Sequence, residues 1–308
     1  MTPLLAQHHP DCYPSEPAQA LALFRKALDS FAPDALPAAP SDRSLAGIIA
    51  PHIDFRVSLQ AYAAAFRPLL DQPLPETWLI LGVGHRSPLE WNLDRRDYET
   101  PLGRAVCATD LVDHLAAGAD ARRFFLPQAH YGEHSIEFPL VWLQALRQMQ
   151  SATTPLRFIP LLCGGLHAYV EGEVEWDDLD DFHHLTRTLG TLFEKYPPGE
   201  KLGVIVSIDG CHLGSRFQHP FPVTSTLLKA TAGWEQLLWD CAAQGDASAF
   251  LNWFQVEGND RYFDGVGALA LLMAAGAGKF RLQLTYYEQW FTKEDASAVT
   301  FSSGRVLR

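Results

Sequence analysis

The segment KLGVIVSIDGCHLGSRF, residues 201–217, places an apolar run directly before a group of chemically active side chains. Asp209, Cys211 and His212 follow the run closely. A carboxylate, a thiol and an imidazole are groups that bind metal ions or transfer protons. This segment therefore predicts part of a functional site at the end of a buried strand.

Two other apolar runs end in the same way. LAGIIA, residues 45–50, leads to His52 and Asp54, and TWLILG, residues 77–82, leads to His85. In open α/β sheets, ligands bind in the crevice at the carboxyl ends of the strands. We therefore expect the side chains that follow these runs to lie at one edge of a single sheet.

The residue types at these strand ends suit a metal ion. Imidazole and thiolate ligands favour zinc, copper or iron, and two histidines with one thiolate or carboxylate leave coordination positions open. A structural interpretation competes with this one. In it His52 and His85 are helix caps or half-buried imidazoles, and Cys211 is a small buried apolar residue. The spacing is long-range, so the residues alone leave both interpretations open.

A fourth element is the segment HYGEHSIEFPL, residues 130–140, which begins an amphipathic helix. Ser135 can cap this helix, and Glu137 lies in its first turn. Capping accounts for the serine but not for His134. Because the ordinary pKa of histidine is near neutrality, His134 is predicted to transfer protons.

Strand and helix patterns alternate along the chain. Short apolar runs, typical of strands covered on both faces, occur at 45–50, 77–82, 156–162 and 202–207, and two further strands are predicted at 280–290 and 298–306. Helices are predicted at 17–31, 59–70, 135–149 and 265–277, the last of them buried. This alternation predicts an α/β fold with a mainly parallel sheet.

Composition limits the function classes. The chain has 308 residues, of which 47% are hydrophobic and 19% charged, as in folded globular proteins. Its 24 basic and 36 acidic residues give a net charge of −12, which argues against a nucleic-acid partner. No apolar run reaches the about 18 to 20 residues of a membrane span, so no membrane partner is expected.

The chain is predicted to form one domain over residues 1–308. Residues 1–44 hold an N-terminal helical element and a Pro/Ala-rich connector at 32–44, and residues 45–308 hold the α/β core. The N-terminus lacks a basic segment followed by an apolar core, and the five cysteines are scattered without a C-x-x-C pair. Both features predict a cytoplasmic location.

The order of motifs resembles the Memo-like family, called AmmeMemoRadiSam system protein B in microbes and Memo in animals. The motifs are APH (50–52), LGVGH (81–85), YETPLG (98–103), EHSIEFPL (133–140), FIPLLCG (158–164) and SIDGCHLGSRF (207–217). The resemblance implies a single-domain α/β/α sandwich related to class III extradiol dioxygenases. Those enzymes hold a non-haem Fe(II) and cleave catechol-type rings.

The resemblance also implies a set of site residues. The two histidines and the cysteine of the family's pocket fall on His52, His85 and Cys211, and the nearby polar pair falls on His134 and Asp209. The implied cofactor is Fe(II) or copper, with zinc as a further option. The implied partner is a small molecule or a peptide in the pocket.

The chain departs from the family pattern around this pocket. Ile53-Asp54-Phe55 stands where the family usually has Ala-Gly-Tyr, and Tyr131 and Gly132 occupy the region where an aspartate is usual. A late Cys-Gly turn before the buried helix is common in the family, and here the sequence reads RYFDGVG. These departures leave the identity of the substrate open.

Three functions agree with these residues. The first is a metal-dependent oxidoreductase of dioxygenase type, in which His134 moves a proton and Asp209 orients a ligand. The second is a non-catalytic binding or scaffold protein that retains the pocket. Structural zinc, with His212 as fourth ligand, ranks last because such sites have four closed ligands, usually in local pairs.

Cys211 does not suit the first function well. Non-haem Fe(II) oxygenases use two histidines and a carboxylate, and a thiolate in the carboxylate's place favours softer ions such as copper. Since a turn at a strand end faces a cleft, Cys211 is expected to be a reactive thiolate that a bound metal protects.

Overall fold

The computed structural model of the protein describes residues 4–32 and 36–308; residues 1–3 and 33–35, which include part of the predicted connector, lie outside the described residues. The strands are β1 Leu4–Ala6, β2 Leu45–Ala50, β3 Thr77–Val83, β4 Trp91–Leu93, β5 Asp97–Thr100, β6 Gly103–Cys107, β7 Arg157–Cys163, β8 Leu202–Ser207, β9 His212–Leu213, β10 Arg281–Thr292 and β11 Ser297–Leu307. The helices are α1 Pro17–Ser30, α2 Leu59–Leu70, α3 Thr109–Ala116, α4 His134–Met149, α5 His167–Val170, α6 Asp180–Lys195, α7 Ser225–Ala242, α8 Ala247–Glu257 and α9 Val266–Gly276.

The strands join in one mixed sheet. Its main path runs β1-β5-β6-β7-β3-β8-β2-β11-β10, with β4 beside β7 and β9 beside β11. The central strands β6, β7, β3, β8 and β2 are parallel, and β11 and β10 continue the sheet in antiparallel register. The predicted mainly parallel sheet is confirmed. The apolar, uncharged strands β3 and β8 lie at its centre, where both faces of a strand are covered.

Two groups of helices flank the sheet. Helix α4 packs on β3 and β8 and contacts α1 and α2, whereas α9 packs on β3 and β7 and contacts α6 and α8. Every residue of β3 is buried. Because successive side chains of a strand point to opposite faces, α4 and α9 cover β3 from opposite sides. The architecture is the α/β/α sandwich expected from the sequence.

The buried apolar side chains form one continuous cluster. On the α4 side its largest member is Trp142, whose ring packs against Phe24 at 4.7 Å, Phe66 at 5.3 Å and Tyr62 at 5.8 Å between centroids. Helix α9 is buried along nearly its whole length, as its uniformly apolar sequence predicts. The site described below therefore rests on a continuous buried core.

Several short elements were not predicted. Strands β4 and β9 have three and two residues, which is too few for a periodic signal, and they form by pairing with β7 and β11. The YETPLG motif forms a hairpin of β5 and β6. Helices α3, α5, α7 and α8 were also not predicted. None of the helices in the described ranges combines the length and apolar character needed to cross a bilayer.

Candidate metal centre

Three histidines meet at the carboxyl edge of the sheet. His52 follows β2, His85 follows β3, and His134 is the first residue of α4. Each ring offers a nitrogen within 4.8 Å of the other two, and the ring centroids are 4.8 to 5.1 Å apart. Three neighbouring imidazoles are a donor set found in catalytic metal sites. This group could therefore hold a metal ion.

His52 is buried at the base of the group. Its Nδ1 lies 3.2 Å from the carbonyl oxygen of Ser207, and because a carbonyl only accepts, Nδ1 is assigned the hydrogen. Its Nε2 is buried and has no hydrogen-bond partner among the described residues. Metal-binding histidines characteristically donate from the far nitrogen to a carbonyl or carboxylate, which leaves the near nitrogen for the ion.

His85 has the same arrangement with a carboxylate. Its Nδ1 donates to Oε1 of Glu133 at 2.9 Å. Burial raises the pKa of the Glu133 carboxyl, but the hydrogen bond and charge of His85 outweigh burial and lower the pKa to about 2. Glu133 is therefore ionised and holds His85 with Nε2 free.

The residue that caps the start of α4 is not the one predicted from the sequence. The side chain of Glu133, not of Ser135, caps the helix by accepting from the Ser135 nitrogen at 3.1 Å. The Ser135 hydroxyl instead donates to the carbonyl of Val83 at 2.9 Å and accepts from its nitrogen at 3.1 Å. These bonds fasten the start of α4, and with it His134, to the end of β3.

Asp209 lies next to His52 and lines one lobe of the cleft described below. Its Oδ1 accepts from the backbone nitrogens of His52 at 2.9 Å and Ile53 at 3.0 Å. Its Oδ2 is 3.8 Å from Nε2 of His52. Burial raises the pKa of the Asp209 carboxyl. The geometry fits a residue that fixes the backbone at His52.

Cys211 does not join the three histidines. Its nitrogen donates to the Thr300 hydroxyl at 2.6 Å, and its fully buried side chain lies beside Thr300 and Glu235. Burial, and then the Glu235 charge, raise the pKa of the thiol well above its ordinary value. His212 lines the cleft, and successive side chains of extended backbone point to opposite faces, so Cys211 points into the core.

The position of Cys211 changes the expected labelling result. We expect an alkylating reagent to modify Cys211 slowly both with and without metal, because a buried, protonated thiol is inert. The partly exposed Cys12 and Cys241 should be modified first. Mass-spectrometric mapping of labelled peptides measures the rates, with denatured protein as the control in which all cysteines react. Faster labelling of Cys211 in metal-free than in metal-loaded protein would contradict this expectation.

The structure adds one residue that the sequence did not assign, Asp264, and it gives His212 a position in the cleft instead of the role of fourth zinc ligand. Asp264, in the turn before α9, has Oδ2 3.1 Å from Nε2 of His52. His212 is placed with Nδ1 3.1 Å from the carbonyl of Tyr262, so Nδ1 is assigned the hydrogen and Nε2 can accept a proton. In the sequence, Asp264 was marked only by the departure RYFDGVG from the family pattern.

The two aspartates next to His52 change its pKa. Burial lowers the pKa of His52, but the charges of Asp209 and Asp264 outweigh burial and raise it to about 9.

A cleft with two lobes lies over the histidines. The lobes have volumes of about 570 and 590 Å³ and share His85, His212, Arg216 and Phe217. Arg216 donates from Nε to Asp295 at 2.8 Å, and its guanidinium lies 5.2 Å from the centre of the Trp290 ring. Each lobe is in the size range of small-molecule sites.

Comparison with known proteins agrees with this architecture. The family model described as "Memo-like protein" matches residues 6–305. The match covers nearly the whole chain, including every residue of the histidine group.

Individual relatives are more distant. The human "Protein MEMO1" is 29% identical over 181 residues, which cover 58% of this chain and 54% of the human protein. A "MEMO1 family protein" of Thermus thermophilus is 26% identical over 228 residues, which cover 73% of this chain and 61% of that protein. The chain spans about half the length of the curated human relative that it matches.

Proposed function

This chain belongs to the Memo-like protein family, and we propose that it is a metal-dependent oxidoreductase of dioxygenase type that acts on a small molecule in the cleft. One observation carries the proposal. Three imidazoles converge at the carboxyl ends of β2 and β3, and the far nitrogens of His52 and His85 are held by Ser207 and Glu133. If these histidines only capped helices, they would have no need to lie close to one another.

The donor set fits a redox metal. Imidazoles bind iron, copper and zinc, and three protein nitrogens leave coordination positions open for substrate. We propose Fe(II), with copper as the alternative. A bound Fe(II) supplies the capacity to activate dioxygen, both atoms of which would enter the product as one ring carbon–carbon bond breaks, so no separate reductant is required.

The chain's own residues have distinct tasks in this proposal. His52, His85 and His134 hold the ion, and Asp209 positions His52 through its backbone. Burial, and then the charges of His52 and His85, lower the pKa of His134 to about 3. His134 is therefore neutral at physiological pH, the form that binds metal.

A second residue takes over the proton transfer first expected of His134. His212 lines both lobes of the cleft, and its Nδ1 is engaged by the carbonyl of Tyr262, which leaves Nε2 for a molecule bound there. An imidazole whose other nitrogen donates to a fixed carbonyl presents a defined acceptor for a substrate proton. The free thiols of all five cysteines support a reducing compartment such as the cytoplasm as the place of action.

Metal analysis tests this function directly. Protein purified anaerobically, without an affinity column that leaches metal, is expected to contain close to one equivalent of iron or copper. Oxygen uptake should then depend on added catechol-type compounds. Folded protein that purifies without metal, and that binds neither Fe(II) nor copper on titration, would contradict the proposal and favour a non-catalytic binding function.

A further inference from the structure

We propose that Glu90 makes the cleft select molecules that carry a positively charged amino group. The inference rests on the proposed function and names its substrate class, a catechol-type ring with an aminoalkyl side chain. Glu90 lines the lobe of about 570 Å³, called the Glu90 lobe below, but not the other lobe. His85 and His212 line the Glu90 lobe as well, so a molecule bound there lies beside these histidines and beside the carboxylate.

The carboxylate of Glu90 is held against the backbone that follows β7. Its Oε2 accepts a hydrogen bond from the nitrogen of Leu166 at 3.1 Å, and the Gly164 nitrogen donates to the Glu90 carbonyl at 2.6 Å. A Cβ on Gly164 would overlap with Oε2, so the glycine leaves the space that the carboxylate occupies. Oε1 has no hydrogen-bond donor in the described part of the chain. The carboxylate is therefore oriented through one oxygen and offers the other to a ligand.

The charge of Glu90 is not offset by a neighbouring basic group. Among the described residues, no basic side chain lies within ion-pair distance of its carboxylate. The other carboxylate of this lobe, that of Asp264, lies 3.1 Å from Nε2 of His52. Arg216, which lines the lobe, donates from Nε to Asp295 at 2.8 Å. Of the charges described in this lobe, that of Glu90 is therefore the one left to attract a cationic ligand.

The rest of the Glu90 lobe suits an aromatic ring. Its apolar lining includes Pro88, Leu89, Phe217 and Phe263. Sites for small molecules combine apolar walls of this kind with a few polar groups that fix the orientation of the ligand. In this proposal the ring packs against the apolar walls, its hydroxyls lie toward His85 and His212, and its amino group contacts Glu90.

An ammonium group has the chemistry that Glu90 can recognise. It donates hydrogen bonds to a carboxylate and carries the opposite charge, and such charge-assisted bonds are about twice as strong as neutral ones. A carboxylate on the ligand would instead bring a like charge next to Glu90. The other lobe differs, because Arg56 and Arg216 line it and Glu90 does not. The charge of a bound molecule's side chain therefore reports which lobe receives it.

Equilibrium binding of three matched catechols tests the inference. They carry an aminoethyl, an ethyl or a carboxymethyl group, so they differ mainly in charge. Calorimetry with Fe(II)-loaded protein under anaerobic conditions, in which no turnover occurs, measures their dissociation constants. The proteins are wild type, Glu90→Gln and the control Glu171→Gln, whose exposed glutamate follows α5 and lines neither lobe. Glutamine keeps an oxygen that can accept from Leu166, and circular dichroism verifies that each variant is folded.

We expect wild type and Glu171→Gln to bind the aminoethyl compound about 10-fold more tightly than the ethyl compound, the lower end of what a hydrogen bond to a charged group contributes. Glu90→Gln should bind these two compounds equally and should keep the wild-type affinity for the ethyl compound. The wild-type preference should also decrease as the salt concentration rises, because salt screens a charge pair that solvent can reach.

Three results would overturn the role of Glu90 and leave the proposed function intact. They are equal binding of the three compounds by wild type, a wild-type preference for the carboxymethyl compound, and a preference for the aminoethyl compound that survives in Glu90→Gln. Wild-type protein that binds none of the three catechols would contradict both the role of Glu90 and the proposed function.

Discussion

Replacing His85 by alanine is expected to abolish stoichiometric metal binding without unfolding the protein. The His85 ring is exposed to the cleft, so its removal leaves little core packing unsatisfied. It removes one of three imidazoles and leaves Glu133 without its histidine partner. Since even residues that only orient a ligand change metal affinity by about 10- to 100-fold, we expect loss of a ligand to cost 100-fold or more.

The measurement is the metal content of the purified variant together with its Fe(II) affinity by chelator competition. His183→Ala is the matched control, because His183 lies on α6 outside the histidine group and bonds the carbonyl of Trp176. It should retain wild-type metal content. A His85→Ala protein that still binds one equivalent at wild-type affinity would exclude His85 as a ligand.

Replacing Trp142 by alanine is expected to lower the free energy of unfolding by about 3–5 kcal/mol, the usual cost of removing a large buried aromatic ring. Trp142 is fully buried against Phe24, Tyr62 and Phe66. The resulting cavity would lie on α4, the helix that begins with His134. The loss should therefore reduce stability first and weaken the metal site indirectly.

Urea unfolding followed by circular dichroism measures this effect. Val256→Ala on α8 serves as the control, because Val256 is 81% exposed and its truncation should change stability by less than about 0.5 kcal/mol. Trp142→Phe should cost less than Trp142→Ala, since the indole nitrogen has no hydrogen-bond partner among the described residues. A loss below about 1 kcal/mol for Trp142→Ala would show that this cluster is not a rigid part of the core.

Much of the fold was determined by local sequence. The mainly apolar runs that became β2, β3, β7 and β8 are typical of buried central strands, and the amphipathic patterns of α1, α2 and α4 agree with the helices observed. The same patterns placed His52 and His85 just after strands. Because parallel strands present their carboxyl ends at one edge of a sheet, the meeting of these two histidines followed from sequence alone.

The rest of the site was decided by the tertiary structure. Sequence showed that Cys211 follows β8, but not that its side chain points into the core while His212 faces the cleft. A shift of one residue in extended backbone reverses the direction of a side chain, and the register is set by pairing with β11. Local sequence carries no record of that pairing.

The same reason applies to the donors that were assigned other roles or missed. His134 reaches the group because Glu133 and Ser135 bind residues near the end of β3, and Asp264 reaches it from a turn far along the chain. Their proximity depends on contacts between segments separated by more than 45 residues. Sequence therefore determined which residues could do chemistry, and long-range packing decided which of them share one site.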